Sequence, residues 1–528
     1  MTKNATYIDY GRIRVICNIP INNLINFDFS IQPNIHAEAK LKVLLDTEEE
    51  AHIIVERMQG EEIKVVEISK DGNEKIPPLF AGIIIYCEIR HQGQSREADL
   101  YAVSGTIYLD MIKKSRSYQN VEMSYKEMID NVLKDTPDSV LMYFAEKKML
   151  EKPVIQYQET DFSFAIRMAS HQNTCIYPDI IDFRPRLIYG LPKGKDKGEI
   201  SVISYRMGMD SCYSKGTDKK EVLLFYEITC KDNYYIGETV WLHKKRLRVC
   251  SKKGILQKGL IYFSYILATD SWTWRERMYN PLFPGISLKA TVLQCHQEYV
   301  RLHLDIDSIQ DVKKAYPFLW KPETGNLLYC MPEVGTKVYL NIVDREEGNA
   351  YAVGCIRLNG AVCLETQNPN NRLLANESGK NVKLYPEFLE FQGRENNDLD
   401  STLSLRDSNG VSFQTNQSFT VKAENGVQFK GKKVKLASPM EFTVIKKDLL
   451  SPTVMNLNHT IDILGGKGKI TSGVGKELMP LIQGKRVEKY DISDIAENIL
   501  SAIPREAEED ELSVILAASF VSTLYSRK

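Results

Sequence analysis

From Val411 to Ile445 the sequence reads VSFQTNQSFTVKAENGVQFKGKKVKLASPMEFTVI, and apolar pairs two residues apart recur along it. The pairs are Val411 and Phe413, Phe419 and Val421, Val427 and Phe429, Val434 and Leu436, and Phe442 and Val444, with starts spaced by 8, 8, 7 and 8 residues. A period near eight is too short for a propeller blade or a helical repeat. It fits short strands that each put two apolar side chains on one face, with polar turns such as TNQS, AENG and GKK between them. One such strand cannot build a core, and stacking strand on strand in a single chain leaves a flat apolar strip. Three identical chains can close their strips into a prism and pair every sheet edge along the shaft. The ten side chains, each contributing roughly 1.5–3 kcal/mol when fully buried, would form its core. A single-chain β-solenoid or sandwich is the alternative reading.

The rest of the chain is organised differently. At 528 residues it is too long for one ordinary core and suggests several domains. Lys plus Arg total 68 against 69 Asp plus Glu, a net charge of −1, so no charge excess exists to drive binding to nucleic acid or an anionic membrane. Ten cysteines are scattered singly, without C-x-x-C spacing, which argues against a zinc site or redox motif. The N-terminus lacks a signal-peptide pattern, and the longest apolar run near the end, Ser513 to Val521, is half a membrane span. Synthesis and folding in the cytoplasm are expected.

Residues 1–275 alternate polar and apolar over short runs such as IRVICNI, KLKVLLD, HIIVERM and FAGIIIYCEI, which is strand periodicity. Two helical islands interrupt it. In the first, Ser124 and Glu127 have capping-box spacing ahead of Met128, Ile129, Val132 and Leu133 on one face. The second is YQETDFSFAIRMASHQNTCIYPD, Tyr157 to Asp179, whose acids, His and Cys invite an active-site reading. Thr160 fits a helix N-cap, Asp161 suits the positive end of the helix dipole, and Asn173 can close the helix in a left-handed conformation. With no second acid or base spaced to work with them, these residues read as scaffolding rather than catalysis.

The same stretch resembles the Y-x-E-T/S-D-x-x-F-x-x-R signature of VgrG proteins and related phage tail hub proteins. Pro78 to Ile89 (PLFAGIIIYCEI) and Arg116 to Leu133 (RSYQNVEMSYKEMIDNVL) resemble segments that precede it in that family, so the likeness spans about 100 residues in the family's order. The sequence departs at His171-Gln172-Asn173, where the family leads us to look for a Gly. The resemblance implies a pair of small β-barrels, three copies of which form a pseudo-sixfold ring on a hexameric tube.

After WTWRERMYNPLFPG, Trp272 to Gly285, come several short strands and a segment read as helical, SIQDVKKAY, over about 75 residues. These suit a five-stranded OB-type barrel. Cys330 to Leu340, CMPEVGTKVYL, resembles the OB domain of VgrG-like and baseplate spike proteins, with Thr336 in place of Asp. No basic groove with interleaved aromatics is evident, so a spacer role is expected rather than oligonucleotide binding. The fold class expected is mainly β: a paired-barrel hub over 1–275, an OB fold over 285–362, a trimeric β-prism needle over 363–480 and a helical extension over 481–528. In that extension Ile492, Ile495, Ile499 and Ile503 fall at helical spacing. They read equally as a cargo- or tip-binding hairpin and as a helical cap packed on the spike.

The function that the resemblance implies is mechanical: a homotrimeric hub and spike of a contractile injection system, assembled with the inner tube and baseplate proteins and delivered outward on contraction. The resemblance implies a separate PAAR-type tip protein and possible effector cargo. Neither a cofactor nor a metal is called for; the eight histidines include no H-x-H pair, and the isolated His459 near the needle's end reads as structural. A built-in cell-wall hydrolase would need about 100 residues, against some 25 free between barrel and needle and 45 in the tail. A stand-alone OB-type carbohydrate binder leaves the first 275 residues unexplained.

Overall fold

In the computed structural model the described residues are 7–437, apart from 48, 70–71, 75–76, 94, 214–219, 274, 323–329, 357–367, 377 and 396–397, together with 442–446 and 453–457. The chain divides into two compact units, Met1–Val362 and Cys363–Lys528.

The first unit is built on a twelve-stranded sheet formed by the N-terminal strands and by those between residues 196 and 268. The two groups meet where Ile21–Ile31 pairs antiparallel with Lys245–Gln257, placing Lys252 opposite Ile31 and Gly254 opposite Phe29. A side chain at Gly254 would collide with the Phe29 ring, so only glycine lets the strands approach there. Where the resemblance implies a pair of small barrels, both halves share one continuous sheet and one core, including Phe27, Phe29, Phe80, Phe263 and Tyr265. A correction concerns HIIVERM, read as a strand. It forms helix α1, Ala51–Met58, because Ile54 and Met58 lie one turn apart and are buried together.

Helix α2, Tyr125–Leu133, starts at Ser124 with a complete capping box to Glu127 and buries Met128, Ile129, Val132 and Leu133, as the spacing predicts. Helix α3, Asp161–His171, is capped by the Thr160 side chain, which accepts from the Ser163 N–H at 3.2 Å, and Asn173 adopts φ 52° just beyond it. The two helices share a small core of Phe162, Phe164, Ala165 and Met168 against the α2 face.

The OB expectation meets a closed five-stranded barrel of Ile286–His296, Tyr299–Leu304, Pro317–Trp320, Lys337–Ile342 and Tyr351–Ile356. Its third strand pairs parallel with its fifth, and its first pairs with its fourth, which is OB connectivity. Leu288, Val300, Phe318, Trp320 and Leu340 fill it, joined by Ile155 from outside the barrel. SIQDVKKAY is not a helix but a run of turns, with Ile309 exposed. Ile309 and Val312 stay exposed while Ala315 is buried, so little burial offsets the cost of nucleating a helix so short.

In the second unit, Arg372–Ala375, Asn381–Tyr385, Phe388–Glu395, Asp398–Arg406 and Gly410–Thr415 form a five-stranded antiparallel meander, and Phe442–Lys446 pairs with Thr453–Leu457. Residues 416–437, read as three further strands of the repeat, carry no strand in the single chain. An isolated strand has no ladder to join, so the pattern alone does not make it one.

Candidate functional site

Two constellations stand out. The first is the buried ionic joint built from the stretch that opens at Tyr157. Glu159 lies next to the end of the strand Val154–Thr160, and Arg167 lies two turns into α3. The Arg167 guanidinium is almost wholly buried. It donates to Glu159 Oε2 (2.7 Å), to Glu347 Oε1 (2.8 Å) and to the Ile155 carbonyl (2.7 Å). Its faces rest on the rings of Phe164 and Phe283, at 5.2 and 5.4 Å. Glu347 belongs to a 3₁₀ turn, Glu347–Asn349, between the last two barrel strands, so Arg167 ties α3 to the OB barrel. Burial pulls the Arg167 pKa down, but Glu347 and Glu159 more than offset it, and the net shift is upward.

Every other group that suggested chemistry has a partner. Asp161 accepts from Lys114 Nζ (2.6 Å), Arg116 Nη2 (2.6 Å) and Gln156 Nε2 (3.0 Å). His171 Nε2 lies 3.0 Å from the Met278 carbonyl, and burial, with Arg277 and Arg167 nearby, pushes its pKa down to about 3. Burial pushes the Cys175 thiol up to about 11. These are the settings of anchored groups; a proton-transferring pair would need a free acid or base in reach. A second tie joins the same region to the barrel: Asp307 accepts from the Ser117 N–H (2.6 Å) and Ser117 Oγ (2.5 Å). Among the described residues no group of three or more His, Cys, Asp or Glu could hold a metal ion, and no helix is long and apolar enough to cross a membrane.

The second constellation is the meander of the C-terminal unit, whose polarity is inverted. Cross-strand register puts Leu384, Leu389, Leu405 and Val411 in one row, and Leu374, Val382, Phe391, Leu403 and Phe413 in the next row of the same face. Opposite them lie Lys383, Glu390, Ser404 and Ser412. Yet Glu390 and Ser404 are buried, while Leu374, Phe391, Leu405, Val411 and Phe413 are exposed. Arg406 covers the polar face: it donates to Glu390 Oε2 (2.8 Å) and Ser404 Oγ (2.9 Å) and lies 4.5 Å from the Phe388 ring centre. Burial acts to raise the Glu390 pKa, but the hydrogen bonds from Arg406, Gln392 and Ser404 outweigh it and hold it below the usual range.

The exposed rows lead into the repeat. Val411, Phe413, Phe419, Val421, Val427, Phe429, Val434 and Leu436 are between 49% and 68% exposed, and only Phe413 and Phe419 meet ring to ring, at 5.5 Å. Phe442 and Val444 lie on a strand whose side chains fall outside the described residues, as do Ile492, Ile495, Ile499 and Ile503 and His459. Sequence reasoning missed the seven apolar residues between Leu374 and Leu405, although their period-two alternation in VKLY, FLEF and TLSL was there to be read.

No family model matches this chain, and no curated protein matches it. Solved structures do. A component of the E. coli type VI secretion system, described as structurally similar to bacteriophage T4 tail proteins, matches at 13% identity and a TM-score of 0.43, covering 65% of this chain and all of that one. The Francisella PdpA–VgrG complex in its half-lidded form matches at 8% identity and a TM-score of 0.48, over 76% of this chain and 87% of that one. A tail protein from Neisseria meningitidis matches at 13% identity and 0.36, over 51% and 99%.

Proposed function

We propose that this chain is the hub-and-spike protein of a contractile injection system. Three copies close around one axis through the outward face of the C-terminal unit. One observation carries the reading: the meander exposes Leu374, Phe391, Leu405, Val411 and Phe413 along two apolar rows, and these run on into a repeat whose described apolar side chains are 49–68% exposed. Monomeric soluble proteins rarely leave so long an apolar strip uncovered. Identical strips on three chains cover one another, whereas nothing among the described residues of a single chain covers its own. The Glu159–Thr160–Asp161…Arg167 signature, resembling VgrG and tail hub proteins, supports a hub role for the first unit.

In this reading the trimer sits on the hexameric inner tube among the baseplate proteins, is driven outward on contraction, and carries a PAAR-type tip protein, with effector cargo on the C-terminal segment. Its work is mechanical. The resistance of such a spike under load is set by its unfolding rate, which chains closed around a shared core keep low.

The test is the mass of the purified protein by light scattering, before and after removal of residues 388–528. A trimer that becomes monomeric on truncation supports the reading. A full-length chain that stays monomeric at micromolar concentration overturns it.

A further inference from the structure

An Asn-Gly step is where a backbone can attack its own side chain, because glycine has no Cβ to hinder the approach of its nitrogen. The chain has such steps at Asn359–Gly360, Asn409–Gly410 and Asn425–Gly426, and the latter two are among the described residues. The same dipeptide sits in two different settings. Asn409–Gly410 closes the hairpin between Asp398–Arg406 and Gly410–Thr415: Gly410 pairs with Arg406 and holds the left-handed conformation (φ 74°) that tight hairpin turns use. That turn explains its presence. Asn425–Gly426 closes no ladder. Both residues are exposed, Gly426 has φ 145°, and nothing lies within 4 Å of where a Cβ would stand. Neither the Asn425 side chain nor the Gly426 N–H has a hydrogen-bond partner among the described residues.

We propose that Asn425 is a self-modifying residue that converts to an acid without any enzyme. The Gly426 nitrogen, losing its proton to water or hydroxide, attacks Asn425 Cγ. A C–N bond forms, the Cγ–Nδ2 bond breaks, and Nδ2 leaves as ammonia with a proton from solvent. Water then opens the cyclic imide at one carbonyl or the other, giving aspartate or isoaspartate. Asn409 follows the same route more slowly, because the ladder holds its glycine nitrogen in place. The change is large for its surroundings. Val411 to Ala437 carries Lys422, Lys430, Lys432, Lys433 and Lys435 against Glu424, so 5 − 1 = +4 becomes +3. The isoaspartyl product also lengthens the backbone by one carbon inside a repeat whose register is eight residues.

The test keeps purified full-length protein at mildly alkaline pH and follows each asparagine by peptide mass spectrometry, with isoaspartate detected separately. Asn425 should convert several-fold faster than Asn409, faster still than Asn341 in the barrel strand Lys337–Ile342, and at a rate that rises with pH. Asn425→Gln should remove the new acid at that position and leave the Asn409 rate unchanged. Conversion at Asn425 no faster than at Asn341, or seen only after urea treatment, overturns the proposal. So does an Asn409 that converts as fast as Asn425.

Discussion

Replacing Arg167 by Met tests the ionic joint most directly. The substitution keeps most of the side-chain volume and removes the charge. It strands Glu159 and Glu347, whose side chains are only 14% and 5% exposed, and leaves the Ile155 carbonyl without its donor. Breaking a buried ion pair by deleting one partner costs about 3–5 kcal/mol. Urea titration followed by tryptophan fluorescence, to which Trp320 in the barrel core contributes, reads the loss as a lower midpoint at unchanged slope. Arg167→Met with Glu347→Gln should recover part of it, because the second change removes one stranded charge. A coupling of at least about 1 kcal/mol is expected from groups in direct contact. If Arg167→Met costs less than about 1 kcal/mol, or the two changes simply add, the joint is not what fastens α3 to the barrel, and this account of the signature arginine fails.

Three further outcomes follow. His171 is held neutral with its pKa near 3, so its contribution to stability is complete above pH 6.5 and is lost as pH falls from there toward 3. His171→Phe should flatten that part of the pH–stability curve, and an unchanged slope would count against the buried neutral ring. Lys252, at the seam, has Nζ 2.5 Å from Asn233 Oδ1 and over the rings of Tyr235, Phe263 and Phe29, and burial pulls its pKa from 10.5 to about 7. Its neutral-form stabilisation is therefore present above pH 10.5 and declines as pH drops to 7, so Lys252→Met should abolish that slope in thermal melts without loss of stability at pH 7; a clear loss there would mean the rings hold the lysine as a cation. Phe413→Ser changes an exposed residue, which in a lone chain shifts stability by no more than about 0.5 kcal/mol. In the proposed trimer it should instead move the monomer–trimer balance on dilution, measured by sedimentation, and an unmoved balance would exclude that face from the contact.

Local signals in the sequence proved readable because they are closed within a few residues. Ser124 and Glu127 complete their capping box from three positions apart, Thr160 caps α3 from its own boundary, and Asn173 takes the left-handed conformation that ends it. What the sequence hid is non-local. The barrel partner of Arg167, Glu347, lies 180 residues away, in a 3₁₀ turn that no periodicity announces. Lys252 sits on a strand whose sequence does not announce its burial, which comes from Tyr235 and Phe263 together with Phe29 of the paired strand Ile21–Ile31. Helix α1 was misread because Ile53, Ile54 and Val55 are β-branched, and the burial of Ile54 with Met58 outweighs that weak preference. The repeat was visible as a period, but its strands need neighbours that a single chain does not supply.

The joint at Arg167 also bears on how such chains can be recombined. Its halves are encoded far apart, the arginine in one module and the answering carboxylate in the next. A transplanted barrel without an acid at the Glu347 position would leave Arg167 with Glu159 as its one carboxylate partner, and a transplanted helical module without the arginine would strand Glu347. Domain exchange between lineages is therefore constrained at this seam: the two modules travel together, or the incoming one must already carry the matching charge.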